Sequence, residues 1–230
     1  MATTRVRRAL RPVGTIYPSV SHASTHTFYA RYGKRLFDVV AASTLLVFTM
    51  PIILLLALAV GVTSGWPVFY RADRVGRDGR TFRIIKLRTM VQNADALLMV
   101  WQLENPALFE EFERDYKLSH DPRVTRLGRF LRRSSLDELP QLLNVIAGQM
   151  SLVGPRPVVT AELKKYGDAA PRLLRQRPGL TGAWQVGGRN QVTYSERARI
   201  ELDYVSSVGF LKDVTILVST FFAPFRFNGA

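Results

Sequence analysis

From Val39 to Val62 the chain reads VVAASTLLVFTMPIILLLALAVGV, 24 residues without an ionisable side chain. A run of that length exceeds the ~20 apolar residues needed to cross a hydrocarbon core of ~30 Å, which makes it a membrane element or else a buried core helix. The 38 residues before it, and the lack of a small-residue cleavage site after it, argue against a cleaved leader. Arg31, Lys34 and Arg35 precede the run, and Arg71, Arg74, Arg77, Arg80, Arg83, Lys86 and Arg88 follow it. Lys and Arg stay on the cytoplasmic side of a membrane, so both flanks belong on the same face. Pro51 falls at the middle, where it removes a backbone donor and clashes with the preceding turn. Each half then reaches only ~18 Å at ~1.5 Å per residue. The expectation is a re-entrant, non-spanning helix hairpin broken at Thr49, Met50 and Pro51; the alternative is a kinked span.

Lys and Arg outnumber Asp and Glu by 32 to 18, a net charge of +14. Such a balance suits nucleic acid, an anionic lipid face or phosphorylated substrates. Residues 1 to 35 hold seven of the basic side chains and no acidic one, the pattern of a flexible basic extension drawn to anionic lipid. The chain has no cysteine, which excludes disulfides and thiolate metal sites. A hydrophobic content of 47% excludes a disordered polyelectrolyte. The division expected is an extension over 1–32, a membrane helix over 33–63 and a cytoplasmic catalytic domain over 64–230.

The fold class expected for the remainder is α+β, mostly helical, with a small β-hairpin. Val68 to Tyr70 and Thr81 to Leu87 read as strands around a polar turn. Asn93 to Lys117 reads as helix interrupted near Pro106, its carboxylates forming a solvated face. A helix starting near Ser135 and ending around Gly148 is followed by Thr160 to Leu174, helical with a break near Gly167 to Pro171. RPGLTGAWQVGGRN reads as a loop whose glycines admit close approach of a ligand. Thr193 to Ser207 is an amphipathic helix, and the apolar C-terminal LKDVTILVSTFFAPF lies either on the membrane surface or in the core. Trp66 and Tyr70 suit an interfacial belt. Trp184 either packs or stacks on a ligand.

Within SSLDELPQLLNVIAGQMSLVGPRP two carboxylates, Asp137 and Glu138, adjoin. Ser135-x-x-Glu138 has the spacing of a capping box. Pro140 weakens that reading, because proline belongs at the first helical position and not the fifth; a later helix start would leave both carboxylates in the preceding turn. A functional reading pairs a nucleophilic carboxylate with one that holds a hard cation such as Mg²⁺, which takes one or two carboxylates plus substrate phosphates. Arg132 and Arg133 stand just before the pair, and Arg156 lies between two prolines, available for bidentate phosphate contacts.

Taken together, KRLFDVVAAS, PVFYRADRVGRDGRTFRIIKLRTM, DPRVTRLGRFLRRSSLDELPQLLNVIAGQMSLVGPRPVV and RPGLTGAWQVGGRN closely resemble the bacterial sugar transferases known as monotopic phosphoglycosyl transferases. The likeness runs from about Lys34 to the C-terminus and is greatest to undecaprenyl-phosphate galactose or glucose phosphotransferases. It implies transfer of a hexose-1-phosphate from a UDP-hexose to undecaprenyl phosphate at the cytoplasmic face of the bacterial inner membrane, through a sugar-phosphoryl aspartate. By that resemblance Asp137 is the nucleophile and Glu138 holds Mg²⁺. Lys86, Arg132 and Arg156 match positions that grip phosphate, and Arg177, Pro178, Gly179 and Thr181 fall where the family meets the nucleotide sugar. The family's membrane break is usually Ser-Pro; here it is Met50-Pro51, with Thr49 placed to satisfy freed backbone groups.

A nucleic-acid-binding protein is disfavoured, since stacking aromatics and recognition helices are not evident and the apolar run would have no role. A catalytically inactive membrane scaffold of the same fold is the remaining alternative. His22, His26 and His120 are assigned no role. A homodimer is compatible with the sequence.

Overall fold

The computed structural model describes residues 28–115, 118, 121–187 and 193–226. The expected extension, except for its last residues, lies outside them, as do His22, His26 and His120. The first long element is α1, Lys34–Ser64, preceded by a wider helical turn, Tyr29–Gly33. It is helical through Pro51. Thr49 donates its hydroxyl to the Leu45 carbonyl at 2.7 Å. The carbonyl that Pro51 deprives of its donor is that of Val47, four residues back, so Thr49 does not perform the service expected of it.

Both ends of α1 are fastened to one globular body. At its start Arg35 donates to the Val145 and Ile146 carbonyls at 2.6 and 2.8 Å, and the Asp38 carboxylate accepts from the Leu152 amide at 3.0 Å. At its end the buried Arg88 donates to the Ser64 carbonyl at 2.6 Å and also to that of Gly65. Between these anchors Val47, Phe48, Leu54, Leu55 and Leu58 are exposed. By length and composition α1 could cross a membrane.

A hairpin follows. Strand β1, Phe69–Val75, pairs antiparallel with β2, Thr81–Leu87, in the register Phe69 to Leu87 through Val75 to Thr81. The first strand is thus longer than the expected Val68 to Tyr70, and Arg83 of β2 faces Asp73 of β1 at 3.3 Å across the ladder. Helices α2, Ala94–Glu104, and α3, Pro106–Asp115, meet at the expected break, and Pro106 opens the second. Next come α4, Arg126–Ser134, a 3₁₀ turn over Leu136–Gln141, and α5, Leu142–Ile146.

The segment expected to be a loop is partly ordered: β4, Gly179–Thr181, pairs parallel with β3, Ser151–Val153, and α8, Ala183–Gly187, follows. Its glycines serve the backbone before any ligand. A Cβ on Gly179 would fall 2.1 Å from the Gly154 nitrogen, so only glycine lets these chains approach. Two short helices, α6 (Thr160–Leu163) and α7 (Ala170–Leu173), flank the expected break, where Gly167 takes a positive φ of 48°. Helix α9, Tyr194–Ser206, begins on a capping box between Thr193 and Glu196.

The last helix, α10, Phe210–Arg226, packs one side into the core, the second of the alternatives expected of it. Ile216 and Asp213 are buried, while Leu211, Val218 and Phe221 are exposed. The main core joins Phe82 and Ile84 of β2 to Leu142, Val145, Met150, Leu152, Tyr204 and Ala42 of α1. A second cluster gathers Val75, Val158, Leu163 and Leu173, and a third links Val60 to Val68, Leu87 and Leu131.

Asp213, fully buried, accepts from Lys34 Nζ at 2.6 Å, Tyr29 at 2.7 Å and Tyr204 at 2.7 Å. Replacing it with alanine strands a buried ammonium and two phenols, a change that costs about 3–5 kcal/mol when one partner of a buried pair is removed. Asp213→Ala is expected to lower Tm by about 6–20 °C in a domain of this size. Thermal unfolding of detergent-solubilised protein checks it, and an unchanged Tm would contradict the anchoring role.

Candidate active site

The two carboxylates owe their position to Ser135. Helix α4 ends there, with Ser135 at φ 58° and ψ 17°, a left-handed conformation uncommon for a residue with a Cβ. Its side chain makes no cap hydrogen bond, so the capping-box reading is overturned. The chain reverses and enters the 3₁₀ turn, which carries Asp137, Glu138 and Pro140 before α5 begins at Leu142. Proline at 140 has no amide to give and forces the helix to start later, the alternative open in the sequence.

Asp137 is only 7% exposed. Burial pushes its carboxyl up from 3.8 to about 6; Lys86 and Arg132 pull it down, and the charge of Glu138 pushes it up. Lys86, reaching from β2, forms a short ion pair with Glu138. Arg132, in the last turn of α4, donates Nε to the Thr89 hydroxyl at 2.9 Å. The helix that carries it sits against Thr89 through Gly128, where a Cβ would lie 2.0 Å from the Thr89 oxygen.

Glu138 and Lys86 open onto a cleft also lined by Arg74, Gln141, Arg156, Gly179 and Gln185. Arg156 stands in the loop after β3; its amide donates to Glu201 at 3.0 Å, and Tyr166 donates to the other oxygen of Glu201 at 2.5 Å. Its guanidinium lies 5.8 Å from the centre of the Trp184 ring, and that of Arg197 lies 4.9 Å from it, so Trp184, 8% exposed, packs as a cation platform.

The expected residues do not all converge. Lys86, Glu138, Arg156 and Gly179 share the cleft; Asp137, the chain neighbour of Glu138, and Arg132, whose charge acts on Asp137, do not line it. Pro178 faces a smaller apolar crevice that Arg156 also borders. Arg177 instead donates to the Gly148 carbonyl at 2.8 Å, and the buried Thr181 shares a hydrogen bond of 2.7 Å with Thr220 of α10. Neither lines the cleft. Sequence reasoning passed over Arg74, Gln141, Gln185 and Glu201. Gln141 was within reach of it, lying one 3₁₀ turn beyond the carboxylates, whereas Glu201 signalled only an i,i+4 partner for Arg197.

Among the described residues no group of three or more His, Asp or Glu is arranged to hold a metal ion. The donor set at the cleft is one buried and one partly exposed carboxylate, which fits Mg²⁺ in its usual mode, with one or two carboxylates and the remaining positions left to water and substrate phosphate.

With this geometry established, comparison with known proteins is decisive. A family model described as bacterial sugar transferase matches residues 29–226. The chain belongs to the bacterial sugar transferases. The transferase is 44% identical over 212 residues to the exopolysaccharide production protein ExoY of Sinorhizobium fredii, covering 92% of this chain and 87% of that protein. It is 43% identical to the undecaprenyl-phosphate galactose phosphotransferase of Salmonella typhimurium over 87% of this chain, which spans 42% of that longer protein. With the UDP-glucose:undecaprenyl-phosphate glucose-1-phosphate transferase of Caulobacter vibrioides it shares 40% identity over 81% of this chain and 67% of the relative.

The raised carboxyl of Asp137 has a consequence for stability. A group raised from 3.8 to about 6 contributes stability that is full below the lower value and is lost as pH rises through the upper one. Asp137→Asn removes that loss. In metal-free buffer at pH 8 the variant is expected to be more stable than the wild type by on the order of 2–3 kcal/mol, with the difference vanishing near pH 4. Tm measured from pH 4 to 8 tests this; a variant less stable than wild type at pH 8 would show that the carboxylate is not held at the expense of the fold.

Proposed function

We propose that this transferase moves a hexose-1-phosphate, galactose or glucose, from a UDP-hexose to undecaprenyl phosphate, releasing UMP and forming undecaprenyl-diphospho-hexose. The observation that carries the reading is the buried Asp137 beside Glu138 on one 3₁₀ turn, under the charges of Lys86 and Arg132, with Arg156 lining the cleft that Glu138 opens onto. The Salmonella and Caulobacter relatives are both named for transfer to undecaprenyl phosphate. Their names differ in the hexose, so the choice between galactose and glucose falls to experiment.

In the first step an Asp137 oxygen attacks the sugar-side phosphorus of the UDP-hexose. The P–O bond to the nucleotide breaks, UMP leaves with the bonding pair, and the sugar-phosphoryl aspartate remains. In the second, an oxygen of undecaprenyl phosphate attacks the same phosphorus and returns Asp137 as a carboxylate. Arg156 and Lys86 place positive charge on the phosphoryl oxygens, and Arg132 and Lys86 favour the ionised state of Asp137 against its burial. Mg²⁺ held by Glu138 would neutralise diphosphate charge when bound. The burial of Asp137 excludes water, which would otherwise hydrolyse the acyl phosphate.

The reading includes the membrane. Were α1 straight, its 31 residues would measure about 46 Å, and a crossing would leave one end beyond the bilayer. Both ends are instead held by the same domain, Arg35 and Asp38 at one and Arg88 at the other. That arrangement supports a helix that bends at Pro51, enters one leaflet and returns, with the domain over 64–230 on the cytoplasmic face and its basic rim against anionic lipid. The product then forms where its polyprenyl chain is already dissolved, as the first membrane step of exopolysaccharide assembly.

Purified protein with Mg²⁺, undecaprenyl phosphate and a panel of UDP-sugars is expected to release UMP from UDP-galactose or UDP-glucose. Asp137→Asn and Glu138→Gln are each expected to abolish release, and so is chelation of the metal. Full activity in Asp137→Asn would overturn the aspartate's role as nucleophile, and no turnover of any UDP-sugar would leave the inactive scaffold as the better reading.

A further inference from the structure

The cleft is dominated by charge, yet two of its lining side chains are neutral amides. Gln141 is 2% exposed, and its Nε2 has no hydrogen-bond partner within the protein; Gln185 likewise holds a buried Oε1 without one. Buried polar atoms are almost always paired, and leaving one unpaired is destabilising. Packing alone gives no reason for an amide at either position, because leucine fills similar volume at no such cost. Gln141 stands four residues beyond Asp137 on the same turn, and Gln185 comes from α8 on the opposite wall beside Gly179.

We infer that Gln141 and Gln185 form a subsite for an uncharged, hydrogen-bonding portion of the substrate, one that offers an acceptor to one amide and a donor to the other. The inference rests on the proposed transferase function. Phosphate oxygens are not the match: they accept only, and Arg74, Lys86 and Arg156 already supply cationic donors in the same cleft. A neutral group with both capacities is required. In a UDP-hexose there are two sources of it, a sugar hydroxyl and the polar edge of the nucleoside. Either would pair both amides once substrate is bound.

Gln141→Leu and Gln185→Leu test this, each with UMP release measured against UDP-galactose and UDP-glucose and with Tm recorded alongside. The expected result is a 10- to 200-fold loss of kcat/KM for the accepted UDP-hexose, with Tm unchanged or raised. UMP added as an inhibitor separates the sources. If its inhibition constant weakens by the same factor, the subsite takes the nucleoside; if it is unmoved while the ratio of kcat/KM between the two hexoses shifts, the subsite takes a sugar hydroxyl. Unchanged kcat/KM in both variants, or loss of activity accompanied by a fall in Tm of ~5 °C or more, roughly the effect of a 1–2 kcal/mol packing defect, would overturn the inference. Gln185 is only partly buried, so its variant remains informative should Gln141→Leu fail to fold. A wild type that releases UMP from no UDP-hexose would sink the proposed function and this subsite together, whereas an active wild type with indifferent variants would sink the subsite alone.

Discussion

The fold hangs on a buried carboxylate that is not catalytic. Asp213, on α10, gathers Lys34 and Tyr29 from the entrance to the membrane helix and Tyr204 from α9. Tyr204 also meets the Val153 carbonyl at 3.1 Å, and Asp38 of α1 receives the Leu152 amide. Strand β3 is therefore pinned from both sides by groups fixed relative to α1. The loop that presents Arg156 leaves directly from that strand. Through this chain of contacts α10 sets where α1 docks, and the docked helix sets where Arg156 stands.

The site itself runs against the economy of folding. A carboxyl raised to about 6 is held where the fold would prefer it protonated, and two neutral amides are left without partners nearby. Stable proteins avoid both conditions, and their coincidence in one cleft is better explained by substrate than by packing. The surrounding cations act in opposition: Lys86 and Arg132 lower what burial raises, so that Asp137 is ionised near neutrality yet only weakly solvated. Glu138 occupies the wetter position, paired with Lys86 and open to the cleft.

Sequence carried the local code well. The apolar run, the hairpin strand Thr81–Leu87, the helix break at Pro106 and the start of α9 at Thr193 all depend on nearest neighbours and on residue types with strong preferences. Where the reading faltered, distant contacts decide. RPGLTGAWQV looks like loop because it is rich in glycine, but those glycines let β4 lie beside Gly154, a partner 25 residues earlier in the chain as the numbers 179 and 154 show. Arg177 and Thr181 are turned by the same pairing toward Gly148 and Thr220, away from the cleft. Gln141, Gln185 and Glu201 have side chains common on any helix, and nothing in their spacing distinguishes a substrate contact or a brace for Arg156 from a solvated surface.

Ser135 shows most directly how one backbone choice decides between structure and chemistry. The same four residues, Ser135 to Glu138, fit a capping box if the serine adopts an extended conformation, and Glu138 would then fold back onto the serine amide. In the left-handed conformation the serine closes α4 behind it, and its side chain is not used as a cap. Glu138 turns to Lys86, and Asp137 is buried. Pro140 reinforces the outcome by denying the regular helix an amide one turn later. Two carboxylates that a helix dipole would have held in solvent are thus placed among arginine and lysine side chains, and the tight 3₁₀ turn keeps them adjacent there.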